Sequence, residues 1–225
     1  MLPIRVAEHR KMKFCCRTGA LIATLSLASS PLLASTKIHR WVLTGAPMPQ
    51  FHKLLVVGIM DDYVNRQEFE DQMKRLLARY GVEGVQSYVI LPPNNEMMER
   101  ELKQRIKESS LDGVLVIRPK MVSKATEEVV PAGNYVPPTG YYTFWPYWNV
   151  AYGDFDPGNP STMQDGIIRV EFNLYSTRDE RLVWSGETGA ISSKYFEKVE
   201  SEYAETLLSR LKKDKVITTK NRSRL

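Results

Sequence analysis

Residues 53–59, KLLVVGI, form a short unbroken run of leucine and β-branched residues. A run without polar alternation predicts a strand covered on both faces. The spacing then becomes helical: Phe69, Met73, Leu76, Leu77 and Tyr80 fall at i, i+4, i+7, i+8 and i+11 and make one apolar stripe. Asn65 and Glu68 stand at capping-box spacing, and Gly81 stops the helix in the C′ role. Residues 85–91, VQSYVIL, read as a second strand ended by Pro92 and Pro93. Asn95 is placed to cap a second helix with Met98, Leu102 and Ile106 on one face. Leu111, Asp112 and Gly113 turn the chain into a third strand at 114–117. A β-α-β-α-β order with short connections predicts a parallel sheet with right-handed crossovers.

Beyond residue 166 the period changes to two. Ile168, Val170, Phe172 and Leu174 alternate with Arg169, Glu171, Asn173 and Tyr175, and Leu182, Trp184 and Gly186 continue the alternation after a turn at 176–180. This predicts a hairpin with one buried and one wet face, Trp184 inward and Tyr175 outward. A last amphipathic helix turns Phe196, Val199, Tyr203, Leu207, Leu208 and Leu211 inward. The expected fold is α/β (α+β): a mixed sheet of about five strands, β-α-β-α-β, then a β-hairpin and a C-terminal helix, in one domain at 35–211.

Residues 131–160 break this order. They hold nine aromatic residues, six prolines and four glycines, and they read as a long loop without helix or strand periodicity. Long irregular segments inside compact domains tend to be functional or disordered, and disordered linkers are poor in aromatics. Tyr and Trp concentrate at interfaces because they give large contact area with polar tips. Tyr141, Tyr142, Phe144, Trp145, Tyr147 and Trp148 are therefore the candidate binding residues. The competing reading is that these rings fold back and cover an open face or edge of the sheet.

The chain start has the features of an export signal: Lys13 and Arg17 as the basic region, an apolar stretch from Gly19 to Leu27, and Leu33, Ala34 and Ser35 near the cleavage point. The signal is assigned to residues 1–34 and reads best from Met12. The apolar stretch is shorter than the about 20 residues that span a bilayer. Both cysteines, Cys15 and Cys16, precede the apolar stretch, so the sequence has no lipobox cysteine and the exported part carries no thiol. Expected localisation is the periplasm, as a signal-bearing protein that is not a lipoprotein.

Charge changes little once the ends are set aside. The chain carries 31 Lys and Arg against 26 Asp and Glu. Arg5, Arg10, Lys11, Lys13, Arg17 and Glu8 lie in the first 34 residues, which leaves 26 basic and 25 acidic groups. A basic tail at 212–225 takes six of the remaining cations (Lys212, Lys213, Lys215, Lys220, Arg222 and Arg224) and only Asp214, so the body is about −4. The basic isoelectric point is thus an end effect. It does not predict nucleic-acid binding, which wants a basic face on the fold itself. At most the tail makes peripheral membrane contact.

Catalytic signatures are sparse. The turn after the first strand has neither a Gly-rich loop nor a Lys-Ser/Thr pair, so dinucleotide and P-loop binding are unsupported. His39 and His52 have no ligand spacing, no G-x-S-x-G elbow is present, and no metal or cofactor is expected. Asp61 and Asp62 fall at the carboxyl end of a strand, where open α/β sheets place ligands; they read either as a carboxylate pair or as N-terminal charge for the next helix.

KLLVVGIMDD, RQEFEDQMKRLL leading to YGV, LDGVLVIRP, and VEFNLYS with RLVWSGET together resemble a set of uncharacterised bacterial envelope proteins and lipoproteins. Their core is similar to the amino-terminal domain of the Tol–Pal propeller protein and to lipoprotein activators of penicillin-binding proteins. The resemblance covers about residues 51–211 outside the aromatic segment, and it implies a non-catalytic, partner-binding α/β domain. The expectation is a periplasmic accessory protein that binds an envelope protein through the aromatic segment. Two alternatives stay open: a binder of peptidoglycan or another cell-wall glycan, and a hydrolase built on an unidentified carboxylate pair.

Overall fold

The computed structural model describes residues 37–60, 62–91, 99–122, 135–153, 166–192 and 196–217. The export signal, Asp61, Asn95 and residues 218–225 of the basic tail lie outside them. The elements run β1 (Ile38–Val42), β2 (Lys53–Gly58), α1 (Tyr63–Arg79), β3 (Glu83–Gln86), the single-turn α2 (Ser87–Ile90), α3 (Glu99–Glu108) and β4 (Gly113–Val122). After a 3-10 turn at Thr139–Tyr141 come α4 (Phe144–Gly153), β5 (Ile167–Ser176), β6 (Leu182–Thr188), the short β7 (Ile191–Ser192) and α5 (Phe196–Lys213). Among the described residues, no helix is long and apolar enough to cross a membrane.

The fold is α/β with one mixed sheet, in the order β1-β6-β5-β4-β2-β3, with β7 paired to β5. β2 runs parallel to β3 and β4, as the β-α-β-α-β reading requires. β4, β5, β6 and β1 are joined antiparallel. The sheet is wider than the five strands expected, because β1 adds an edge against β6 and β7 adds a short rung on β5.

Two cores lie on the two faces. On one, α1 and α5 pack Phe69, Met73, Leu77, Leu207 and Leu211 against Leu54, Leu115, Phe172 and Trp184. On the other, α3 and α4 pack Leu102, Ile106, Phe144 and Tyr147 against Leu55, Val57, Val114, Val116 and Tyr175. The hairpin is therefore buried on both faces. Tyr175, expected outward, has no exposed surface; the helices on both sides override the wet side of its alternation.

Several local expectations shift for physical reasons. The cap of α1 is Asp62, whose carboxylate accepts from the Asn65 N–H at 2.8 Å, so the cap sits three residues ahead of Asn65. The run at 85–91 divides: β3 ends at Gln86 and Ser87 starts α2, because the Ser87 hydroxyl and the Tyr88 N–H both turn to Glu70. β4 continues well past Ile117 because β5 matches it residue for residue from Gly113 to Val122. The folded body also extends past Leu211. Val216 and Ile217 are buried, and Asp214 accepts from the Trp184 indole at 2.9 Å and pairs with Arg40 at 2.6 Å.

Asp112 and Gly113 form a junction. The Asp112 carboxylate accepts from the His52 and Lys53 N–H groups at 2.7 and 3.0 Å, and its carbonyl accepts from Thr177 N–H at 3.1 Å. It thereby sets the register of β2, β4 and the end of β5. A Cβ at Gly113 would lie 2.6 Å from Phe51 Cδ1 and 2.7 Å from Leu54 Cδ2, so the position has room only for hydrogen.

Candidate functional site

The aromatic segment is not a thirty-residue loop. Its middle is α4, and Phe144, Tyr147, Trp148 and Ala151 fall at i, i+3, i+4 and i+7, the stripe that meets the sheet. Pro146 lies in the first turn, where a missing N–H costs nothing. The rings pack on one another: Tyr147 lies edge-on to Tyr141 at 4.8 Å and stacks on Tyr175 at 5.4 Å, and Phe144 meets Trp145 at 4.7 Å. Tyr141, Phe144, Trp145 and Tyr147 are buried. Trp148 is half-buried against the same cluster. Tyr142 is 37% exposed and edge-on to Trp41 at 5.6 Å. Six candidate rings thus come together, chiefly as the second core. Phe155 lies outside the described residues.

Beneath α4 the sheet face is polar. Arg118 pairs in register with Glu171, Glu171 with Glu187, and Glu187 with His39, a row of four ionisable residues across β4, β5, β6 and β1. Glu171 is fully buried. Its Oε1 accepts from the Tyr147 hydroxyl at 2.9 Å and from Asn173 Nδ2 at 3.1 Å, and its Oε2 accepts from Lys120 Nζ at 3.0 Å. The Ser185 hydroxyl donates to Asn173 Oδ1, and the Ser185 and Tyr135 hydroxyls share a hydrogen bond at 3.1 Å. Burial is the largest influence on the Lys120 ammonium and would depress it, but Glu171, Tyr141 and Glu187 together outweigh burial and hold Lys120 above the ordinary lysine value. Burial first, and then Glu171, pushes the Tyr147 and Tyr175 hydroxyls well above the ordinary tyrosine value. With both oxygens of Glu171 engaged, the network works as a tether for α4.

The tether orients the start of α4 over a cleft. Lys103, Ile106 and Lys107 of α3 form one wall, Phe144 and Trp145 the other, and Leu111, Val114 and Tyr175 the floor, with Thr177 and Glu180 at the mouth. Its volume is about 360 Å³, within the range of small-ligand sites. Lys103 Nζ lies 4.9 Å from the Trp145 ring centroid and 3.3 Å from Glu180 Oε1. Trp145 is 7% exposed, and among the described residues its buried indole Nε1 has no hydrogen-bond acceptor. A buried donor left unpaired costs about 1–3 kcal/mol. The Thr177 hydroxyl is already committed to the Leu111 carbonyl at 2.6 Å.

The other end of the sheet is filled. α1 and α3 lie on opposite faces, so the carboxyl end of β2 is where chain order reverses and where open α/β sheets hold ligands. Here Glu70 Oε1 accepts from Gly58 N–H at 2.9 Å, Arg66 Nε at 3.1 Å and the Ser87 hydroxyl, while Arg66 also donates to Ser87 at 2.7 Å. Asp62, one half of the carboxylate pair considered from the sequence, is engaged as the α1 cap. Among the described residues, no group of three or more His, Cys, Asp or Glu is placed to hold a metal.

Sequence reasoning missed Lys103 and Lys107 as cleft residues and read Glu171 and Asn173 as solvated. The available signal was a polar i, i+2 stripe on β5 set against a tyrosine-rich segment.

No family model matches the chain, and no curated protein matches it. Among solved structures it is similar to the PelC dodecamer from Paraburkholderia phytofirmans, with 13% identity over 78% of this chain and 96% of that one and a TM-score of 0.41. A point variant of the same PelC gives 12% identity, 77% and 96% coverage and a TM-score of 0.40. Likeness that loose says nothing of what this chain binds.

Proposed function

We propose that this chain is a non-catalytic accessory protein of the bacterial periplasm that docks an envelope protein partner at the cleft between α3 and α4. The observation that carries the reading is the open cleft of about 360 Å³, with Phe144 and Trp145 in its wall and Lys103 and Lys107 beside it. Interfaces favour such aromatic anchors. The periplasmic address rests on the signal-like residues 12–34, and the accessory role agrees with the resemblance to envelope lipoproteins. The aromatic segment contributes through Trp145 and Phe144 at one end of α4 rather than as an open platform. Sugar stacking needs accessible ring faces, and of the six candidate rings only Tyr142 and Trp148 keep appreciable exposure.

The test is site-specific photo-crosslinking in producing cells. A photoreactive residue replaces Lys107 at the cleft, and the control replaces Glu205, an exposed residue of α5 on the other side of the sheet. A discrete protein adduct from position 107 and not from 205 supports the reading. Equal labelling from both positions, or none from 107, refutes it.

A further inference from the structure

We infer that the occupant of this cleft is an acidic peptide segment presenting one large apolar side chain. The inference rests on the docking reading above and names the chemistry of what docks. The interior is lined by Ile106, Val114, Phe144 and Tyr175, which suits an apolar side chain. The rim is cationic. Lys103 and Lys107 stand one turn apart on α3, and Glu180, the one acidic lining residue, already faces Lys103 at 3.3 Å. Among the described residues Lys107 makes no ion pair, and it is exposed. A carboxylate beside the inserted side chain would meet Lys107. A membrane surface fits less well, because the aromatic wall is buried and recessed. Two lysines against one glutamate give the lining a positive balance, which lets it select among partners.

The probe is a labelled heptapeptide, Gly-Glu-Asp-Phe-Asp-Glu-Gly, acetylated and amidated, titrated with the purified exported chain and followed by fluorescence anisotropy. Saturable binding is expected. Replacing the peptide Phe by Gly should weaken it about 10- to 100-fold, the equivalent of withdrawing one large apolar side chain. Replacing the acids by Asn and Gln should weaken it about 10-fold, as should Lys103→Ala with Lys107→Ala, at about 3-fold per lysine. Lys107→Glu, at an exposed position that does not endanger folding, should weaken it further, and about 1 M salt should abolish the charge-dependent part. Equal binding of the neutral peptide, insensitivity to Lys107→Glu, or no saturable binding overturns the inference. If position 107 still crosslinks a protein while no peptide binds, docking stands and the acidic-apolar occupant falls; if neither occurs, both fall.

Discussion

Replacing Glu70 by alanine tests how the carboxyl end of the parallel strands is held. Glu70 has no exposed surface, and its partner Arg66 is nearly as buried. The carboxylate accepts from Gly58 N–H, Arg66 Nε and the Ser87 hydroxyl on Oε1 and from Tyr88 N–H on Oε2. Truncation strands a buried guanidinium, the N–H at the end of β2 and the Tyr88 N–H of α2 together. Removing one partner of a buried pair costs about 3–5 kcal/mol. At about 2–4 °C per kcal/mol for a domain of this size, the melting temperature should fall by about 6–20 °C.

Glu70→Gln separates charge from shape. The amide oxygen can face the three donors that meet Oε1, but the amide nitrogen then points a donor at the Tyr88 N–H. One lost bond and one donor–donor contact predict about 1–3 kcal/mol. The double variant Arg66→Met with Glu70→Leu removes both charges and fills the space with apolar groups. It should lose less than Glu70→Ala alone, because replacing a buried pair by packed apolar residues is often near neutral. The assay is urea denaturation followed by far-UV circular dichroism, comparing midpoints at constant slope. A loss below about 1 kcal/mol for Glu70→Ala, or a double variant as damaging as the two single changes summed, would refute the argument that an uncompensated buried charge dominates.

The remaining predictions concern packing, the tether and pH. Gly113→Ala forces a methyl group against Phe51 and Leu54 and should cost about 1–3 kcal/mol by overpacking, read as a lowered thermal midpoint; unchanged stability would show that both side chains can withdraw. Tyr147→Phe leaves Glu171 one donor short and should cost about 1–3 kcal/mol, with near-UV circular dichroism reporting looser aromatic packing; a neutral result would show that the tether is not needed to hold α4. Burial raises the pKa of Tyr135, Tyr147 and Tyr175 above the ordinary value, and that of Tyr203 to about 12. Because the folded values are raised, their contribution is complete below the ordinary tyrosine pKa of about 10 and is lost as pH rises from there toward the folded values. Tyrosinate absorbance should therefore show a late group of residues ionising together with loss of near-UV circular dichroism. Smooth ionisation near pH 10 with the fold intact would contradict the burial of these rings.

The parallel half of the fold was legible because its signals are local. An unbroken apolar strand, a clean i, i+4 stripe and a glycine stop need no knowledge of what lies opposite. β1 was not legible: IHRWV at 38–42 is short and half polar, and it becomes a strand because β6 offers it an edge. The second strand was overextended because the carboxylate that turns Ser87 and Tyr88 into α2 comes from another helix. The aromatic segment failed differently. Its spacing at 144, 147, 148 and 151 is helical, but proline and glycine density obscured a stripe that a count by position reveals. The cleft was least legible of all, since its walls come from α3, α4 and the turn after β5, and only the fold makes them neighbours.

The two ends of the α4 segment differ in chemistry because the sheet beneath them differs. Toward the carboxyl end of β4, the face carries Arg118, Lys120, Glu171, Asn173, Ser185 and Glu187, and the residues that cover it include Tyr135, Tyr141 and Tyr147. A tyrosine covers area like phenylalanine while its hydroxyl meets a buried acceptor that would otherwise be costly. Toward the amino end of β4 the face is Val114 with Leu111, and the covering residues are Phe144 and Trp145. There the cover is incomplete, and an apolar cleft remains open. The satisfied end explains why the segment is rich in tyrosine. The open end is where something outside the chain has room to bind, and for that reason the cleft, rather than the aromatic segment as a whole, is the part of this surface to test for a partner.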